Sequence, residues 1–177
     1  SSRKFNELLA KDYGLDSLPK EINKEGLPLL EPYEGNLDEW IKQNGILTDH
    51  KGRKLILREQ NFKRHTTGKT YEKTRPKLLN ALIECLQQPD EVWINDYMGE
   101  YDNVCYIKFY KGISVAATCS LQDGGLYEVR TWFEIVMSRD KSRLKKAIRE
   151  RGKRAVQTTK DPKNMYRRGL LIHKRKG

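Results

Sequence analysis

Apolar positions recur with a helical period most clearly between residues 74 and 88, where Leu78, Leu79, Leu82, Ile83 and Leu86 fall on one face. Thr74 can cap this helix, Pro76 suits its first turn, and Pro89 stops it. The pattern then changes to strand-like runs at Glu91 to Tyr97, Val104 to Tyr110, Ile113 to Cys119 and Leu126 to Met137. Lys111-Gly112 and Asp123-Gly124-Gly125 separate these runs as hairpin turns. The run from Val104 to Tyr110 is nearly all apolar, as a central strand should be. In the last run, alternation puts Val129, Thr131, Phe133 and Ile135 on one face and Arg130, Trp132 and Glu134 on the other.

A second helix is expected from about Arg139 to Arg151. Its apolar stripe is thin, consisting of Leu144, Ala147 and Ile148, and Gly152 can end it. Leu170-Leu171-Ile172 reads as a final strand beside the others. Residues 1–60 are punctuated by Gly and Pro, with short helices expected at 3–12 and 36–43 and a short strand at Leu55 to Leu57. Asn36 or Asp38 can cap the second of those helices. This order, a helix, several antiparallel strands and then a helix and a strand, predicts an α+β fold, with a small irregular or helical extension before it. The expected division is an accessory extension or linker over 1–60 and the main domain over 61–177.

The chain has 177 residues, of which 33% are charged and 37% hydrophobic, and a net charge of +11. No apolar run approaches the ~20 residues that a membrane-spanning helix needs. Cys85, Cys105 and Cys119 lie in apolar contexts without C-x-x-C spacing, so the expectation is reduced, buried thiols. The charge is unevenly divided. Residues 138–177 hold 16 Lys and Arg against 3 Asp and Glu, and residues 61–80 hold 6 against 1. Residues 81–137 are acidic, with 3 against 9. Two basic segments thus flank an acidic, apolar-rich middle, which favours a polyanionic partner.

The sequence contains no Walker loop, no G-x-G-x-x-G, no H-E-x-x-H and no metal-ligand spacing. With many cations and few metal ligands, phosphate chemistry without a metal or cofactor is the natural expectation. RNA suits such chemistry because it supplies its own nucleophile, the 2′-OH. The protein then needs only a base, an acid and groups that stabilise the charged phosphorane. His65 lies inside the first basic island, in Lys63-Arg64-His65-Thr66-Thr67-Gly68-Lys69, and its ordinary pKa suits proton transfer. An exposed loop histidine explains His65 equally well. Arg75 can reach a phosphate or pair with Glu72. Thr131 and Arg130 should point to opposite faces, and an ordinary strand role for Thr131 stays open. Tyr166, Arg167 and Arg168 precede the last strand as a phosphate clamp or a solvated basic loop. Lys69, Lys108, Arg130, Arg143, Lys146 and Arg167 are further candidates for the RNA backbone. His50 and His173, in a turn and a basic tail, carry less signal.

The ordered set of motifs resembles a family. Arg75, the apolar helix from Leu78 to Leu86, and Gln88-Pro89-Asp90-Glu91-Val92-Trp93 are similar to the signature of phage nucleases of the barnase, EndoU, colicin E5/D and RelE-like fold group. Tyr106-Ile107-Lys108, Thr131-Trp132-Phe133 and Tyr166-Arg167-Arg168-Gly169-Leu170-Leu171 follow in the matching order. The resemblance covers roughly residues 62–175, and Gln88 stands where Asn is commoner. It implies an α+β fold with an N-terminal helix packed on a four- to five-stranded antiparallel sheet, and metal-independent RNA cleavage through a 2′,3′-cyclic phosphate. The basic helix 139–151 would then grip the RNA backbone, with tRNA or another structured RNA as the expected substrate. The resemblance places His65, Arg75, Thr131 and Arg168 at the polar signature positions, with Lys108 and Tyr166 as additional site residues. It also implies a toxin module cut from a longer phage or secreted protein. Such a module would act in the cytoplasm of a target or host bacterium and be held in check by an acidic immunity protein. The alternative is a non-catalytic nucleic-acid-binding or phage packaging module using the same basic surface.

Overall fold

The computed structural model describes residues 26–67, 75–97, 101–121, 126–137, 141–151, 156–159 and 170–175. The elements run α1 (Leu37–Gln43), β1 (Ile46–Thr48), β2 (Lys54–Ile56), α2 (Glu59–Thr66), a 3-10 turn (Pro76–Leu78), α3 (Leu79–Gln87), β3 (Glu91–Tyr97), β4 (Tyr101–Tyr110), β5 (Ile113–Leu121), β6 (Tyr127–Met137), α4 (Lys141–Arg151), β7 (Val156–Thr159) and β8 (Leu170–Lys174).

Local sequence explains most of these boundaries. Asn36 caps α1 by accepting from the Glu39 amide at 2.9 Å. Pro76 opens the 3-10 turn that leads into α3, so the expected 74–88 helix begins tighter than a regular α-helix. Thr74, its expected cap, lies outside the described residues, as does the helix expected at 3–12. Gly112 takes φ 75°, which the Lys111-Gly112 hairpin between β4 and β5 requires.

Among the described residues the strands form one sheet in the order β1-β2-β6-β5-β4-β3-β8, with β7 also paired to β6. β3 to β6 form an antiparallel meander, and β8 adds antiparallel to β3. These are the five antiparallel strands that the pattern predicts. The sheet is nevertheless larger than expected and mixed. β2 and β7 both lie parallel to β6, and β1 pairs antiparallel with β2. A parallel neighbour needs a crossover, which α4 provides between β6 and β7. β1 and β7 went unpredicted because three or four residues are too few to show a period.

Each face of the meander carries its own apolar layer. The helix-side layer joins Leu79, Leu82 and Leu86 of α3 to Val92, Tyr106, Val115 and Trp132. Burial of each such leucine contributes about 1.5–3 kcal/mol. Trp40, Ile41, Leu47, Leu55 and Leu57 belong to this same layer, so the described part of residues 1–60 shares its core with the sheet. The opposite layer gathers Trp93, Cys105, Ile107, Phe109, Phe133, Ile135 and Leu171. All three cysteines are free and buried, and burial pushes the Cys105 thiol up to about 12. None of the described helices is long and apolar enough to cross a membrane.

The alternation expected along β6 breaks at one place. Thr118 pairs with Thr131 and Cys119 with Val129, so Arg130 has no counterpart on β5. This bulge lets Val129 and Trp132, three residues apart, enter the same helix-side layer. Phe133 and Ile135 face the other way, and Val129 does not share their face as a strict period of two requires.

Candidate active site

The bulge marks a break in the pairing of β6. Its outer edge is covered by β2 at Tyr127 and Glu128, and by β7 from Glu134 to Met137. Among the described residues, 129–133 meet no strand on that edge. Helix α2 and Arg75 occupy the opening instead. The Asn61 side-chain amide donates to the carbonyls of Val129 and Arg130 at 3.0 and 3.1 Å. Phe62 stacks between Trp40 and Trp132, with ring centroids 5.3 and 6.3 Å away. A short helix therefore satisfies backbone groups that a strand would otherwise pair.

Arg75 crosses the opening. Its carbonyl accepts from Trp132 Nε1 at 2.9 Å on the helix side. Its guanidinium donates from Nη1 to Thr131 Oγ1 and lies 5.9 Å from the centre of the Phe133 ring. Only 3% of Arg75 is exposed, so this cation is held in one place rather than solvated. Because Thr131 Oγ1 accepts from the guanidinium, its own O–H is left to donate.

His65 stands at the end of α2, half-buried, with its ring 5.5 Å from that of Trp132. Its Nδ1 donates to the carbonyl of Asn61 at 2.8 Å. A carbonyl can only accept, so Nδ1 carries the proton and the lone pair of the neutral ring is on Nε2. Burial holds the pKa of His65 below its ordinary value; the bond to the Asn61 carbonyl opposes this, and the cations Arg75, Arg64 and Arg130 reinforce it. The opening is thus bordered by an imidazole from α2, a buried guanidinium from Arg75 and a hydroxyl donor from β6. Its charge is cationic, as a phosphate site requires.

Of the residues singled out from sequence, His65, Arg75, Thr131 and Arg130 come together here. Lys108 does not. It lies on β4, two strands away, 7% exposed, with Nζ donating to the Gln88 carbonyl at 2.8 Å and lying 5.9 Å from the Tyr110 ring centre. Lys146 is exposed on α4, which packs against β6 and β7. For Arg143, on the same helix, only the backbone is described. Lys69, Tyr166, Arg167 and Arg168 lie outside the described residues. Among the described residues, no three His, Cys, Asp or Glu side chains gather as a metal site.

Sequence reasoning missed Asn61, whose side chain docks α2 on the bulge and whose main-chain carbonyl, which any residue there would supply, accepts from His65. It went unread because α2 buries only Phe62 and Thr66, too few to mark a helix.

Residues 30–174 match a family model described as phage-Barnase-EndoU-ColicinE5/D-RelE like nuclease2. No curated protein and no solved structure matches the chain. The match begins well before the roughly 62–175 that the motifs cover, taking in α1, β1, β2 and α2 as well as the strands that carry Thr131 and Lys108. It spans most of the chain, and the chain therefore belongs to the family of phage nucleases of the barnase, EndoU, colicin E5/D and RelE-like group.

Proposed function

We propose that this nuclease is an endoribonuclease that cleaves without a metal, by transphosphorylation. His65 Nε2 takes the proton of the 2′-OH, and the 2′-oxygen attacks the adjacent phosphorus. The bond to the 5′-oxygen breaks, leaving a 2′,3′-cyclic phosphate. Arg75 offsets the charge that builds on the phosphorane, and Thr131 donates to a non-bridging oxygen. Arg168 is assigned to the same phosphate and Tyr166 to protonation of the departing 5′-oxygen, both from their sequence positions. Arg130, Arg143, Lys146, Lys69 and Arg167 are assigned to the RNA backbone.

The observation that carries this reading is the bond from Arg75 to Thr131 at the opening in the edge of β6, with His65 on the helix that fills that opening. A base, a buried cation and a hydroxyl donor are the groups that self-cleaving RNA chemistry asks of a protein. The same set is inert on DNA, which lacks the 2′-OH. Structured RNA such as tRNA is the proposed substrate, and the bacterial cytoplasm the proposed place of action. An acidic immunity protein covering the cationic site is the proposed inhibitor, since opposite charge speeds capture. Incubating the protein with total RNA in EDTA tests the reading. New RNA ends are expected, and intact RNA at high protein concentration would overturn it. Salt-sensitive binding of both RNA and DNA with no new ends would instead favour the packaging module.

A further inference from the structure

Glu128 is nearly buried, its side chain 11% exposed, yet it lies beside two arginines that are not. Arg58 Nε is 3.2 Å from Glu128 Oε1, and Arg130 Nη1 is 3.9 Å from Oε2. Their side chains are 61% and 59% exposed. One carboxylate cannot neutralise two guanidiniums, and each keeps most of its donors towards solvent. The backbone fixes where these arginines start. Arg58 is the residue that enters α2, in an extended conformation. Arg130 is the bulge residue, and its carbonyl is held by Asn61.

Their position relative to the proposed reaction centre is equally defined. Helix α2 runs along the opening in β6 with Arg58 at residue 128, Asn61 at 129 and 130, and His65 at 132. Arg58 and His65 are separated by seven residues, or about 10 Å of helix. At that spacing, with its Nε held against Glu128, Arg58 is placed for the phosphate next to the one at His65.

We infer that Arg58 and Arg130, braced by Glu128, form a subsite for a phosphodiester group next to the one being cleaved. The subsite sets the direction of the strand, which runs along α2 from the Arg58 end to the His65 end of the opening. It rests on the proposed reaction for the position of the cleaved phosphate, and its test needs no cleavage.

The test is titration of a short single-stranded RNA into His65→Ala protein at several salt concentrations, followed by fluorescence anisotropy. Each phosphate contact removed should lower the slope of log affinity against log salt by about 0.7. Arg58→Ala and Arg130→Ala should each show that loss. Lys63→Ala should not, because this exposed lysine of the same helix pairs with Glu59 at 3.1 Å and is not held by Glu128. Single-stranded DNA of equal length should respond to Arg58→Ala in the same way, because the subsite reads phosphate. Unchanged slopes in both arginine variants, or an equal loss in Lys63→Ala, would overturn the inference. A protein that never cleaves RNA but shows the expected slopes would refute the ribonuclease reading and leave the subsite standing.

Discussion

His65 and Thr131 differ in how their loss should be felt. Removing the imidazole in His65→Ala takes away the proposed base, and cleavage should fall about 10²–10⁴-fold with the fold retained. Steady-state rates on a defined RNA oligonucleotide, with circular dichroism as the control, check this. Thr131→Val keeps the shape and removes the oxygen to which Arg75 donates. One buried donor loses an acceptor, so the variant should lose about 1–3 kcal/mol of stability as well as activity. Denaturant midpoints measure the first part. The lowered pKa of His65 also has a definite sign. The base form persists to lower pH than in an ordinary histidine, so the acid limb of kcat/KM should lie below the usual histidine range near 6.5. A limb above 6.5 would remove His65 from the role of base.

Helix α2 shows at the level of elements why the opening in β6 is filled as it is. The gap between β2 and β7 leaves β6 with backbone groups that need partners, and Asn61 supplies two of them. Asn61→Ala should cost about 1 kcal/mol of stability and also lower activity, since α2, which carries His65, loses its side-chain dock on β6 while the carbonyl bonded to His65 stays. Unchanged activity would reject the docking role. The sequence made the meander, α3 and α4 readable, because their apolar periods are long and their turns carry Gly or Pro. It also singled out His65, Arg75 and Thr131, which border the opening in β6. It did not reveal that His65 sits on a helix, or that Arg130 breaks the alternation of β6. Both depend on a gap in pairing between distant segments, which leaves no local pattern.

The C-terminal end of α3 accounts for the other polar residues that attracted notice. The His50 amide donates to the Leu86 carbonyl at 2.8 Å, Lys108 to Gln88, and His173 Nε2 to the Pro89 carbonyl at 3.2 Å. These donors satisfy carbonyls at and just beyond the helix end. The rings of His50 and His173 lie 4.6 Å apart. Burial, with the neighbouring His173, pushes His50 down to about 4, and burial lowers His173 too. In the unfolded chain both titrate near 6.5, so between about 6.5 and 4 the unfolded state binds more protons. Stability should therefore fall as pH drops through that window and be complete above it. Urea midpoints across the window should show a shallower fall in His50→Gln than in wild type, and equal slopes would contradict the assignment.

Across the whole molecule, the net charge of +11 resolves into local surfaces with separate roles. One basic segment supplies α2 and Arg75 to the opening in β6, and the other contributes α4 beside β6 and β7. The acidic middle supplies the meander and Thr131. The central claim is that this opening carries out RNA self-cleavage with His65 as base, and the chemistry of the product ends tests it most directly. The measurement is mass spectrometry of a defined RNA oligonucleotide after incubation with wild-type and His65→Ala protein in EDTA. A parallel substrate carries a single 2′-deoxy substitution at the cleaved nucleotide. The expected result is a 2′,3′-cyclic phosphate and a 5′-OH from the wild type, lost with either change. Ends bearing 3′-OH and 5′-phosphate, or undiminished cleavage at the 2′-deoxy position, would contradict it.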